Sequence, residues 1–75
     1  IKYSIPDESN VKLNIYNSLG EHVTELVNGI QASGNYQVTW NATDFASGIY
    51  FYNLEVSDMQ NHNLFKGSRK IVLVK

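Results

Sequence analysis

Apolar residues recur at every second position in short runs along this chain, and turn-forming residues end each run. Val11, Leu13 and Ile15 alternate with Lys12, Asn14 and Tyr16. Side chains of an extended strand point to opposite faces in turn, so this spacing puts three aliphatic groups on one face and leaves the other polar. Ile1, Tyr3 and Ile5 show the same alternation until Pro6 stops it, and Tyr36, Val38 and Trp40 show it again. A helix needs its apolar residues three and four apart. Only His22 to Val27 hints at that, through Val23 and Leu26, and Asn28-Gly29 follows too soon for a free-standing helix. The spacing there predicts a bulge near Thr24-Glu25.

The segments between the runs carry turn chemistry. Pro6-Asp7-Glu8-Ser9-Asn10 has the composition and length of a hairpin connection. Asn17-Ser18-Leu19-Gly20 reads as a type I turn with Gly20 in the left-handed position of the bulge that follows. Ala32 to Asn35 is a further turn, and residues 41–48 form a polar connection long enough to pass from one sheet to another. From Ile49 onward both parities are apolar, with Ile49 and Phe51 on one face and Tyr50, Tyr52, Leu54 and Val56 on the other. A strand covered on both sides reads that way, so this one is expected at the centre of a sheet. Gly48 opens it, where a close backbone approach or a positive φ would call for a residue without Cβ. After a loop from Asp58 to Asn63, residues 64–75 form a last strand, interrupted at Gly67. Six or seven short strands without a helix describe an all-β chain, an immunoglobulin-like antiparallel β-sandwich. Trp40 is expected between its sheets, near Leu13, Ile15, Val38 and Leu54.

Length and charge narrow the function. Seventy-five residues hold one core, so 1–75 reads as a single domain. The chain opens on Ile1, which suggests a piece of a longer protein. Six basic against seven acidic residues leave no electrostatic footprint for nucleic acid. The absence of cysteine excludes a disulfide scaffold, a thiolate metal site and a cysteine nucleophile. His22 beside Glu21 and Glu25, and His62 after Asp58, are the candidate metal ligands. Alternation sends His22 and Glu21 to opposite faces, and three or four converging ligands are the usual requirement, so both histidines read as solvated edge residues. No serine has a nucleophile-elbow context and no glycine cluster cradles a phosphate. The residues imply no enzyme, no metal and no cofactor. Nine aromatic rings raise the possibility of a sugar-stacking platform. Most of them share parity with aliphatic residues, which marks core, and Tyr16 is the one that sits with Lys12 and Asn14 on a polar face.

Several blocks in order carry a resemblance. They are Ile1 to Pro6, Val11 to Glu21, Gly34 to Trp40, Ala46 to Tyr52 and Arg69 to Lys75. Together they resemble the C-terminal sorting domain (type A) of the bacterial type IX, or Por, secretion system, a relative of the immunoglobulin-like module of flagellar hook-capping proteins. Ile71 departs from the family, which often has Met there, and the connection from Asp58 to Gly67 looks longer than usual. The resemblance implies a non-catalytic, monomeric sorting signal joined to an N-terminal cargo domain in a Bacteroidetes-type bacterium. Cargo of this kind crosses the periplasm and passes the outer-membrane translocon to the cell surface or the medium. A sortase-like peptidase commonly removes the domain and joins the cargo to lipopolysaccharide. Gly20, Trp40, Gly48 and Tyr50 fall within the matched blocks and read as structural positions. The alternative reading is a carbohydrate-binding or structural accessory module.

The last strand offers a means of recognition. Lys70 to Lys75 places Ile71 and Leu73 on one parity and Val72 and Val74 on the other, between two lysines. If Ile71 and Leu73 fill the core, Val72 and Val74 face outward beside Lys70 and Lys75, and a translocon can read them. The lysines also act as gatekeepers against aggregation. Ending at Lys75 directly after a strand suits a natural C-terminus. A strand buried at the centre of a sheet would leave no such face.

Overall fold

The run Val11, Leu13, Ile15 forms the spine of the fold, and all three residues are fully buried. Each such side chain removed from water contributes about 1.5–3 kcal/mol. The computed structural model describes residues 1–74, and Lys75 lies outside the described residues. The elements are β1 (Lys2–Ile5), β2 (Ser9–Asn17), β3 (His22–Gln31), β4 (Gly34–Gln37), β5 (Gly48–Ser57) and β6 (Asn63–Leu73). All pairings are antiparallel and fall into a four-stranded sheet, β3-β2-β5-β6, and a two-stranded sheet, β1-β4. The chain is therefore a small all-β sandwich. Its core joins Val11, Leu13, Leu54 and Val56 of the larger sheet to Ile5, with Tyr3, Tyr36 and Val38 packed against them.

Several expectations change once strand pairing is known. The Pro6-to-Asn10 turn does not close a hairpin, because β1 pairs with β4 and β2 with β3 and β5. It carries the chain from one sheet to the other, and the buried Ser9 hydroxyl donates to the Asp7 carbonyl at 2.7 Å within that crossing. Turn chemistry sets a change of direction and says nothing about the partner. In β3 there are two register shifts. Leu13 faces Val27 while Asn14 faces Glu25, and Ile15 faces Thr24 while Tyr16 faces His22. Leu26 and Val23 are thus the extra residues, flanking Thr24-Glu25, which is why they stand three apart yet both are half-buried. The strand then continues through Asn28-Gly29 to Gln31.

Gly20 has φ of 83° in the turn that joins β2 to β3, where its amide donates to the Asn17 carbonyl at 3.0 Å. Gly48 has φ of 156° and no atom within 4 Å of the position a Cβ would take, so its backbone angle and not a close approach favours glycine. It belongs to a local device used twice. Ala32-Ser33-Gly34-Asn35-Tyr36 and Ala46-Ser47-Gly48-Ile49-Tyr50 share one pattern. In each, the tyrosine hydroxyl donates to the alanine carbonyl four residues upstream, at 2.5 Å for Tyr36 and 2.7 Å for Tyr50. Both bonds fasten a strand to the segment that enters it, as tyrosine corners do in other sandwiches.

Trp40 does not lie between the sheets. Pairing of β4 with the first strand extends to Val38, whose backbone exchanges two hydrogen bonds with Ile1, and there the chain leaves the sheet. Alternation ceases to govern direction at that point. Trp40 is half-buried and packs edge-on against Tyr50, ring centres 5.1 Å apart, and tilted against Phe45 at 5.3 Å. The strand from Gly48 is central, as its composition predicts, but it is not covered on both sides. Ile49 and Phe51 are 44% and 37% exposed. Among the described residues the two-stranded sheet packs on one face only, and no further layer covers the other. Gly67 does not interrupt β6. A Cβ there would lie 2.9 Å from the tip of the Phe65 ring, so the ring occupies the space that glycine leaves on the same face.

A candidate recognition face on the last strand

β6 is an edge strand, paired on one side with β5 alone. Register assigns its faces. Ile71 lies opposite the buried Tyr50 and Leu73 opposite Gly48, and both aliphatic residues are half-buried. Val72 lies opposite Ile49 and Lys70 opposite Phe51, on the face that no layer covers. Val72 is 61% exposed, and Val74, one step further along the same parity, is 81% exposed. Lys70 is exposed as well. The structure thus brings Val72, Val74 and Lys70 together on one surface, while Lys75 lies outside the described residues.

Sequence reasoning missed two members of this surface. Ile49 and Phe51 read as the buried second face of a central strand, and they instead extend the apolar patch inward from the edge, with Tyr16 opposite Phe51 on β2. A signal was present in Lys12 and Asn14, which mark the same face of the neighbouring strand as solvated. Along the same face, Lys66 and Glu55 form an ion pair at 3.5 Å, exposed enough to contribute about 0–1 kcal/mol. No carboxylate lies within ion-pair distance of Lys70 among the described residues. The patch is therefore apolar with a cationic border.

The structural positions Gly48, Tyr50 and Trp40 converge on the support of this surface. The Tyr50 hydroxyl fastens the start of β5, which Gly48 opens, to the Ala46 carbonyl, Trp40 packs on the Tyr50 ring, and Ile71 sits beside Tyr50 in the ladder. Gly20 closes the turn at the same end of the sheet, where Asn17 is opposite Tyr50.

The candidate metal ligands do not gather. His22 pairs its Nε2 with Asn14 Oδ1 at 2.9 Å and stands edge-on to Tyr16. His62 Nδ1 meets Asp58 Oδ2 at 3.0 Å. Among the described residues no three histidine, aspartate or glutamate side chains converge. Asp58 serves its own loop. The backbone N–H of His62, helped by that of Gln60 and by the His62 ring, holds its carboxyl below the usual aspartate range against a smaller opposing effect of burial. The aromatic rings do not form one platform either. Tyr3 stacks on Tyr36 with centres 5.4 Å apart at the core, Trp40 joins Phe45 and Tyr50, and Tyr16 and Phe51 stand on the open face.

The family described as the secretion system C-terminal sorting domain matches residues 1–73. No curated protein and no solved structure matches the chain.

Proposed function

The chain belongs to the secretion system C-terminal sorting domain family and is a sorting signal of type IX secretion, and from that premise we propose that the uncovered face of β6 is the surface its translocon reads. The domain directs export toward the cell surface or the extracellular space. Val72 carries the reading. It is an aliphatic side chain 61% exposed on an edge strand, on the same face as Ile49 and Phe51, which are 44% and 37% exposed. Contiguous exposed apolar surface of this kind on a small domain marks interaction. Lys70 borders it with positive charge, and the free edge of β6 offers backbone groups to a partner strand.

The rest of the route follows the family. Residues 1–75 act as one domain behind an N-terminal cargo, in transit through the periplasm of a Bacteroidetes-type cell. The outer-membrane translocon takes the folded domain as a monomer, and a sortase-like peptidase separates it from its cargo. The domain itself is non-catalytic and uses no cofactor.

The test fuses the chain behind a reporter carrying an inner-membrane export signal, in a host with type IX machinery. Removing Lys70 to Lys75 is expected to leave the reporter in the periplasm. The joint substitution Val72→Thr and Val74→Thr keeps β propensity and touches no core side chain, so stability should change by less than about 0.5 kcal/mol. Export should nevertheless fall. Normal export by this folded double variant would remove the outer face as the recognition surface, and normal export after the deletion would exclude Lys70 to Lys75 from recognition.

A further inference from the structure

The smaller sheet has an unused edge of its own. The Ile1 and Val38 backbones bond to each other in both directions, at 3.1 and 2.8 Å. In an antiparallel ladder such pairs alternate with pairs that exchange no bonds. Tyr3↔Tyr36 and Ile5↔Gly34 are therefore the bonded pairs of β1 and β4, and the N–H and C=O groups of Lys2 and Ser4 point away from β4. That direction opens on a groove of about 630 Å³ between β1 and β6. Its floor holds Tyr52, Leu64 and Phe65, and the last two are 49% and 53% exposed. The two-stranded sheet is one strand too narrow to cover β6. The lining includes Lys2 and Arg69 and no carboxylate, although the whole chain has a net charge of −1.

We propose that β1 accepts an extended peptide segment of a partner protein, alternating apolar and acidic residues, as a third strand that fills this groove. Its backbone pairs with Lys2 and Ser4, its apolar side chains face Phe65 and Tyr52, and its carboxylates meet Lys2 and the guanidinium of Arg69, which is long enough to reach the rim. A second copy of this chain is the poorer occupant, because two-fold pairing of β1 would set Lys2 and Arg69 against their own copies. The inference is independent of the outer face of β6, since it uses the opposite side of that strand.

The experiment titrates the isotope-labelled 75-residue chain with a capped six-residue peptide alternating valine and glutamate, and with its lysine counterpart, by NMR and amide exchange. Binding of the glutamate peptide below about 1 mM should slow exchange at the Lys2 and Ser4 amides and shift groove resonances. Ser4→Pro removes an edge N–H that β4 does not use, together with the hydroxyl that donates to Asn35 of β4, and should abolish binding. Arg69→Glu leaves the backbone edge intact and should weaken the glutamate peptide about tenfold while favouring the lysine peptide. If Ser4→Pro perturbs folding, Arg69→Glu decides alone. Equal binding of both peptides, indifference to Arg69→Glu, or no response up to about 5 mM would overturn the proposal. So would concentration-dependent protection of the same amides without peptide, which would make the occupant a second copy.

Discussion

β2 and β6 belong to the same sheet and have similar lengths, yet one is the most buried strand of the molecule and the other carries no residue classed as buried. β2 lies between two partners and under the smaller sheet, so its alternation resolves into Val11, Leu13 and Ile15 inside and Lys12 outside. β6 has one partner and an incomplete cover, so the apolar residues at its end divide between a half-buried pair, Ile71 and Leu73, and an exposed pair, Val72 and the Val74 that follows the strand, while Leu64 and Phe65 at its start are exposed as well. A strand that folding needs is spent on the core. A strand at the edge, held by one neighbour, keeps side chains free for a partner.

The comparison breaks most visibly in stability. Leu13→Ala should cost about 2–5 kcal/mol, against a total near 4–11 kcal/mol for a chain of this length. Ile71→Ala, on a half-buried site, should cost about 1–2 kcal/mol. Paired urea melts check this, and equal losses would mean that β6 is as much core as β2. Between the two strands stands the Tyr50 corner. Tyr50→Phe keeps the ring packing and deletes the bond to the Ala46 carbonyl, for an expected loss of about 0.5–1.5 kcal/mol. Because Tyr50 lies between Asn17 and Ile71 in the ladder, the loss should appear as faster amide exchange at that end of the sheet, with Val11 to Leu13 of β2 unchanged. A uniform change through the sheet would contradict the local role.

The smallest effect concerns the loop that leads into β6. Asp58 has a folded pKa below its unfolded value, so its carboxylate stabilises the fold at neutral pH and this contribution is lost as pH falls through the folded value. Asp58→Asn should flatten the acid limb of the stability curve slightly and leave neutral stability little altered, because the amide oxygen still accepts from Gln60 and His62. Chemical denaturation at a series of acidic pH values measures it. An acid limb identical to wild type would show that the loop does not couple to folding.

Much of this was legible along the chain. The alternation of Val11, Leu13 and Ile15, the left-handed Gly20, the extra residues around Thr24-Glu25 and the division of Ile71 and Leu73 from Val72 and Val74 all follow from local rules of strand period and turn chemistry. The family was legible too, because its blocks are themselves strands and turns in fixed order. Trp40 was misplaced since alternation holds only while a chain stays in its sheet. Ile49 and Phe51 were misplaced since a two-sided apolar pattern records what a strand could bury, whichever layers are present to cover it.

The sequence by itself determined where strands begin, which residues share a face and which turns need glycine, because backbone sterics and a two-residue period act between near neighbours. Only the tertiary structure decided that Pro6 to Asn10 crosses between sheets and that β1 reaches across the chain to β4. It alone decided that β6 is an edge and that its outer face stays open. Those outcomes depend on which backbone finds which partner and on how wide the covering sheet becomes, and hydrogen-bonding groups, being identical at nearly every residue, leave no mark of that choice in the sequence.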